Sequence, residues 1–320
     1  MKLTNWLEKV KLEGLKVGIL SEDLLVQYKR KYNRQLKNAG SLFVFLQPYP
    51  EIKPPKFSEL DYKLKLSKYT RGIDYHKILK NKLEYLSSYL INNPEIKVVW
   101  TGVDNHCLPE KKIAREAGLG RIGYNTLLIN SEIGSYSFIG LMAVNYKFNI
   151  NTTFHKKINC SSCKLCQEYC PGNALYLKDG IPYLNKDRCI SYLTQKKGVL
   201  GFKEDKLIGN NFWGCDICQQ VCPYNNSKDA QHSRIIAAKT WPGITKIDPA
   251  EIIKAYIDKK KLFSNYAFSW RGNRILVRNL LINLINIKTR HYSNEVQELN
   301  ISNSPIIKKY LNKYNKEIGN

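Results

Sequence analysis

In the stretch CSSCKLCQEYCPG, residues 160–172, Cys160, Cys163, Cys166 and Cys170 stand at intervals of three, three and four, with a proline after the last. A CxxCxxC loop wraps a cubic cluster and offers three thiolates to the irons of a [4Fe–4S] group. The fourth cysteine leads away on a helix and reaches a second cluster. GCDICQQVCPY supplies Cys215, Cys218 and Cys222, again with a proline, Pro223, behind the last. This run lacks its first cysteine, and Cys189 in RCISYLT is the replacement. The count then closes: Cys160, Cys163, Cys166 and Cys222 take one cluster, and Cys189, Cys215, Cys218 and Cys170 take the other. Of the nine cysteines only Cys107 is left over. A pair of zinc sites accounts less well for the pattern, because zinc ribbons separate two CxxC pairs by a dozen or more residues and the proline-terminated runs here are doubled and reciprocal. Two adjacent clusters form a short wire for single electrons, which does not by itself say what is reduced.

Around these cysteines, residues 1–152 alternate helix-forming and strand-forming runs and predict an α/β domain. GSLFVFLQPYP (40–50) reads as a buried strand ending at prolines. HKILKNKLEYLSSYLINN (76–93) places Ile78, Leu79, Leu83, Leu86 and Leu90 on one helical face. IKVVWTGVD (96–104) reads as a second buried strand. PEKKIAREAGLG (109–120) puts Pro109 at the first helical position and Gly118 at the C-cap. NTLLIN and SFIGLMAVNY read as further strands. GLGRIG (118–123) matches GxGxxG, yet its glycines follow a helix and precede a strand, the reverse of a dinucleotide loop. Residues 153–226 read as a bacterial ferredoxin-like domain for the two clusters. NNSKDAQHS (225–233) reads as a polar linker, and 227–320 as a short helical segment. Within it RILVRNLLINLIN (274–286) carries an apolar face with Arg274 and Arg278 one turn apart, and SPIIKKYLNKYNK (304–316) opens with Ser304 as N-cap before Pro305. Such helices either pack as an appendage or form part of a basic surface for nucleic acid.

The 320 residues are 43% hydrophobic, enough for a sizeable core and about two domains. Lys+Arg number 51 against 27 Asp+Glu, a net charge of +24 that attracts polyanions or reflects a solvated lysine-rich surface. No apolar run is long enough to span a membrane. The first residues show neither an unbroken apolar core with a cleavage site nor a twin-arginine pair. A cytoplasmic protein is expected, in which the cysteines are not disulfides.

Several separate stretches, in order, resemble the epoxyqueuosine reductase family: SKYTRGIDYHKIL (67–79), VDNHCLPEKKIAREAGLGRIGYNTLLI (103–129), GSYSFIG (134–140), CISYLT, GCDICQQVCPYN and VRNLLINLIN. Together they span residues 41 to about 286. The last is similar to the start of that family's C-terminal HEAT-like helices. The resemblance implies a cobalamin held between the α/β and cluster domains and reduced one electron at a time to cob(I)alamin. The implied substrate is tRNA carrying epoxyqueuosine at the wobble position of its anticodon stem-loop, whose epoxide oxygen leaves as water. The implied partners are that tRNA and an electron donor such as a flavodoxin or ferredoxin system, with no membrane and a monomeric chain.

The same resemblance makes Asp104 the proton donor, a carboxyl expected to have a raised pKa in a partly dry site. It places Ser67 against the corrin, with Ser191, Cys215 and Asp216 beside a cluster and the corrin. Tyr69, Arg71, Asp74, Tyr75 and His76 are implied as lining, and Lys196 and Lys197 as phosphate contacts. The chain departs from the family's pattern at His106, Cys107, Tyr124 and Leu141, all near the implied substrate pocket. His106 or Cys107 is either a contact to cobalt or substrate, or an ordinary buried side chain. Two other classes share the cluster pattern. A corrinoid reductase for a small molecule is disfavoured by the charge and the lack of a twin-arginine signal. A bare electron carrier does not need an α/β domain of about 150 residues.

Overall fold

The structure is a computed structural model describing residues 3–57, 64–148 and 158–319. Helix α1 (Leu3–Leu12) leads into strand β1 (Lys16–Ile19). Then come α2 (Glu22–Lys31), the single turn α3 (Asn33–Leu36) and β2 (Ser41–Pro48). Two short strands, β3 (Lys56–Phe57) and β4 (Lys65–Leu66), precede α4 (Tyr75–Leu90). Next are β5 (Val98–Gly102), α5 (Glu110–Glu116), the hairpin of β6 (Arg121–Ile122) and β7 (Leu128–Ile129), and β8 (Ser137–Val144).

Strands β1, β2, β8 and β5 form one sheet in that order, every pair antiparallel. β2 and β8 pair along their whole length, from Ser41 opposite Val144 to Pro48 opposite Ser137. All eight residues of β2 are buried because helices cover both faces of the sheet. The period of two divides its apolar run. Leu42, Val44 and Leu46 meet Leu25 of α2 and Ile113 of α5, and Phe43 and Phe45 meet Trp6 of α1 and Leu79, Leu83 and Leu86 of α4. β5 is an edge strand of partly exposed residues, not the buried strand its composition suggests. Pro109 stands at the N-cap, one position earlier than expected. Gly118 follows Ala117, the C-cap, at φ +76°, where a side chain is strained.

The boundary expected between residues 152 and 153 lies outside the described residues. In the cysteine-rich part the single turn α6 (Leu165–Glu168) is followed by a hairpin of β9 (Leu175–Lys178) and β10 (Ile181–Leu184). α7 (Ile190–Gln195) starts directly after Cys189, and α8 (Phe202–Ile208), β11 (Asn211–Trp213) and α9 (Ile217–Gln220) follow. β11 runs parallel to β4, so the backbone entering Ser67 lies beside the backbone entering Cys215.

The expected linker at 225–233 is ordered. Asn225 is fully buried, and Ser227 caps α10 (Lys228–Ala238) by accepting from Ala230 N. Its polar residues are capping and network residues, which composition alone reads as loop. β12 (Lys246–Ile247), α11 (Pro249–Ile257), α12 (Asn273–Ile287), α13 (Ser293–Gln297) and α14 (Pro305–Glu317) complete the chain. Ser304 occupies the N-cap position of α14, but its hydroxyl caps nothing. In α12 every residue from Ile275 to Ile285 is buried, Arg278 included. This helix is therefore a packing element and not a basic face. Asn279, Asn283 and Asn286 repeat at helical spacing and donate to the carbonyls of Thr194, Phe212, Gly209, Asn211 and Asp205. The Arg278 guanidinium binds the Leu193, Thr194, Lys196 and Gly198 carbonyls at the C-terminal end of α7. The α12 side chains thus hold the strand and helix that present Cys189 and Cys215.

Candidate functional site

Cys160, Cys163, Cys166 and Cys222 line one cavity of about 160 Å3, with Tyr124, Asn125 and Tyr224. Cys170, Cys189, Cys215 and Cys218 line a second of about 230 Å3. Among the described residues no three side chains close on a point as single-ion ligands do. Each set of four surrounds a void instead, a donor set suited to a polynuclear iron–sulfur group. Burial, and then the neighbouring thiols of its own set, push Cys166 up to about 11. Burial likewise pushes Cys215 up to about 11. Thiols raised in this way ionise only against a bound cation, so the chemistry of the donors fits the group.

The second cavity is also walled by Ser67, Tyr69, Ser191 and Tyr49. Gly214 lets β11 approach this wall. Its φ is +74°, and an added Cβ would lie 2.5 Å from Ser67 Cβ. Asp216 does not face the cavity. Its carboxylate accepts from Ser67 Oγ at 2.5 Å and from Lys68 N at 2.8 Å, which braces the Ser67 turn. Arg71 is also a brace, donating to the Leu66 and Ile52 carbonyls. Tyr69 accepts from Trp213 Nε1 at 2.9 Å.

Asp104 lies near the start of the loop after β5, with φ +50°, a conformation Asp tolerates better than most residues. Glu110 holds this loop, its Oε1 accepting from Asp104 N at 2.8 Å and lying 2.9 Å from His106 Nε2. His106 Nδ1 accepts from Leu108 N, so both ring nitrogens are used within the loop. These contacts tie His106 to its own loop, where it also lines the cleft beside Asp104, while Cys107 is exposed. Tyr75 donates to Asp104 Oδ2 at 2.8 Å and stacks flat on Phe138, which also packs on Tyr49 of the cavity wall. His76 Nδ1 lies 2.7 Å from Asp74 Oδ1, and its buried Nε2 lies 3.7 Å from Asp104 Oδ2, an ion-pair separation.

These contacts reverse the expected charge state of Asp104. The adjacent His76 holds its carboxyl well below the usual range, and Tyr75 and Asn105 N add to this against the opposing effect of burial. Burial disfavours the charged His76 ring, but the Asp104 and Asp74 carboxylates outweigh it and hold its pKa up to about 9. The proton of this cluster resides on His76 at neutral pH, and Asp104, more than half exposed, is ionised.

Beyond Asp104 an open cleft of about 460 Å3 is lined by Glu110, Lys111, Lys112 and Arg115 of α5. This cationic wall was missed in the sequence because its three cations are unremarkable among 51. Tyr49 and Asn125 were also missed, since neither belongs to a spaced motif. Lys196 is committed to Asp187 at 3.1 Å and Glu204 at 2.9 Å, whereas Lys197 is exposed.

Residues 159–225 match the model of a 4Fe-4S double cluster binding domain. Residues 30–104 match the model described as epoxyqueuosine reductase QueG, DUF1730. The chain is 30% identical over 287 residues to the epoxyqueuosine reductase of Staphylococcus aureus (strain NCTC 8325 / PS 47), covering 88% of this chain and 73% of that protein. It is 35% identical over 231 residues to the epoxyqueuosine reductase of Bacillus subtilis (strain 168), covering 71% of this chain but 58% of that one. The fold matches the solved epoxyqueuosine reductase of Streptococcus thermophilus with a TM-score of 0.79 at 26% identity, over 99% of this chain and 90% of that one. A crystal structure of an epoxyqueuosine reductase with a tRNA-Tyr epoxyqueuosine-modified stem loop matches with a TM-score of 0.77 at 25% identity, over the same shares. Cysteine pattern, fold and sequence identity converge, and the chain belongs to the epoxyqueuosine reductase family.

Proposed function

We propose that this protein reduces epoxyqueuosine to queuosine at the wobble position of tRNA, with two [4Fe–4S] clusters feeding a cobalamin. The observation that carries this reading is the series of two four-cysteine cavities, the second of which is shared with Ser67, Tyr69 and Ser191 and joined to the Asp104–His76 pair through the packed rings of Tyr49, Phe138 and Tyr75. Removing the epoxide oxygen takes two electrons and two protons and yields an alkene and water. The corrin, when bound, supplies a strongly reducing nucleophile.

The chain's own residues do the rest. Ser67, Tyr69 and Ser191 wall the corrin space, and Asp216 holds Ser67 in place. Asp104 faces the substrate as proton donor. A nucleoside seated over it removes water, and desolvation then raises a carboxyl that the open site keeps ionised. His76 holds a proton for Asp104, and Asp74 keeps the ring oriented. Lys111, Lys112, Arg115 and Lys197 attract phosphates. Trp270, 58% exposed with Arg271 stacked at 3.6 Å, offers a plane for an unpaired base. In this reading residues 1–152 and 153–226 enclose the corrin, and the helical 227–320 segment, HEAT-like in origin, adds RNA contacts. The chain works as a cytoplasmic monomer with a flavodoxin or ferredoxin system as donor.

The test is to incubate anaerobically purified protein with epoxyqueuosine-containing tRNA and a strong one-electron reductant, with and without cobalamin, and to read the nucleosides by mass spectrometry. Queuosine formed only with cobalamin is expected. No queuosine from protein that holds both clusters and corrin would assign the machinery to another substrate.

A further inference from the structure

Asn125 sits on the walls of both cysteine cavities. It occupies the tight turn between β6 and β7, where Gly123 N donates to Leu127 O and Thr126 N to Gly123 O, both at 2.9 Å. Its side chain is buried, at 4% exposure. Oδ1 accepts from Leu127 N at 3.2 Å, and because a backbone N–H only donates, this contact fixes which end of the carboxamide is oxygen. Nδ2 therefore points the other way, and it is buried with no acceptor among the described residues. Leaving a buried amide donor unsatisfied is costly, which points to an acceptor supplied by a group bound in the working protein. Both cavities that Asn125 walls are lined by four cysteines, and the thiolate and sulfide sulfurs of a group held there accept hydrogen bonds.

We infer that Asn125 donates a hydrogen bond through Nδ2 to a sulfur of the iron–sulfur group in one of the two cavities, and that it sets that group's reduction potential. The inference rests on the reading of both cavities as iron–sulfur sites. An N–H donor stabilises the added negative charge of the reduced cluster and so raises its potential. Placed between the two cysteine sets, Asn125 biases the direction in which an electron crosses from one cluster to the other. It acts on the electron carrier directly and does not touch the substrate.

The experiment uses the full chain with clusters loaded, made with asparagine labelled by nitrogen-15 at the side-chain amide only, and reduced by one electron. Pulsed EPR of the reduced cluster is expected to show a nitrogen-15 coupling that disappears in Asn125→Asp. Potentiometric titration is expected to show one cluster shifted to more negative potential in Asn125→Asp and in the uncharged Asn125→Leu, with the other cluster unchanged. Asn125→Leu replaces Asn125→Asp throughout if the latter does not load. No coupling in the wild-type protein, or unaltered potentials in a loaded variant, overturns the inference while leaving the clusters in place. A wild-type protein without iron, sulfide or a reduced-cluster signal overturns the iron–sulfur reading itself.

Discussion

Asp104 and His76 show how far a neighbour can move a side chain from its expected state. In a partly dry site Asp104 was expected to carry a raised pKa, but His76 and Tyr75 stabilise its anion. Asp104→Asn keeps the shape and removes the acid. We expect turnover to fall by roughly 10²–10⁴-fold with cluster absorbance unchanged, and full turnover would exclude Asp104 from the chemistry. His76 gives a stability prediction with a definite sign. Its folded pKa, about 9, lies above the ordinary value near 6.5, so its contribution is complete below about 6.5 and is lost as pH rises through 9. Asp74 and Asp104 are depressed, so theirs is present above about 3.9 and lost in acid. His76→Gln should therefore lower the urea midpoint clearly at pH 6 and hardly at pH 10. An equal loss at both would mean the ring is not charged in the folded protein.

At the scale of elements, two connections hold the site. Arg278 of α12 is fully buried, and burial draws its pKa down only to about 10, so it stays charged at neutral pH against the α7 carbonyls. A cation at a helix C-terminus is favourable, and here the planar fork reaches four carbonyls at once. Arg278→Leu should destabilise by about 3 kcal/mol or more, because it leaves buried carbonyls unpaired, and Arg278→Lys should rescue little of this. Denaturant midpoints of loaded protein check both. The second connection is the Asp104 loop, tied by Glu110. Glu110→Ala is expected to slow turnover roughly 10- to 100-fold by misplacing Asp104, while iron content stays at the wild-type level. A rate within twofold of wild type would show that the loop holds without it.

On the scale of the whole molecule, a net charge of +24 is large, and RNA binding should follow it. Affinity for an anticodon stem-loop should fall linearly with salt on a log–log plot, and Lys197→Ala and Lys112→Ala should each reduce the slope by about one for every phosphate contact removed. Unchanged slopes would place the RNA elsewhere. The joint between sheet and clusters is also a property of the whole. Asn225 Oδ1 accepts from Ser135 N at 2.7 Å, its Nδ2 donates to Ser135 Oγ, and Ser135 Oγ donates to Gln219. An added Cβ on Gly134, at φ +71°, would lie 2.1 Å from Asn225 Oδ1, so only glycine permits this contact.

Much of the fold was legible, for a local reason. The apolar runs of β2 and β8 and the leucines of α4 carry their period in consecutive residues, and that period is the same in any context. The doubled proline-terminated cysteine runs are likewise a chemical signal carried by spacing. β5 was misread because an edge strand and a central strand share a composition, and 225–233 because capping residues and linker residues are the same amino acids. The sequence by itself determined the strand and helix periods and the presence of thiolate ligands for iron–sulfur chemistry. Only the tertiary structure decided that Arg278 is buried against carbonyls, that His76 and not Asp104 holds the proton, and that Asn125 Nδ2 has no acceptor among the described residues. Those properties depend on partners from 2 to 85 residues away in the chain, and desolvation, charge pairing and hydrogen-bond satisfaction are set only when the chain brings them together.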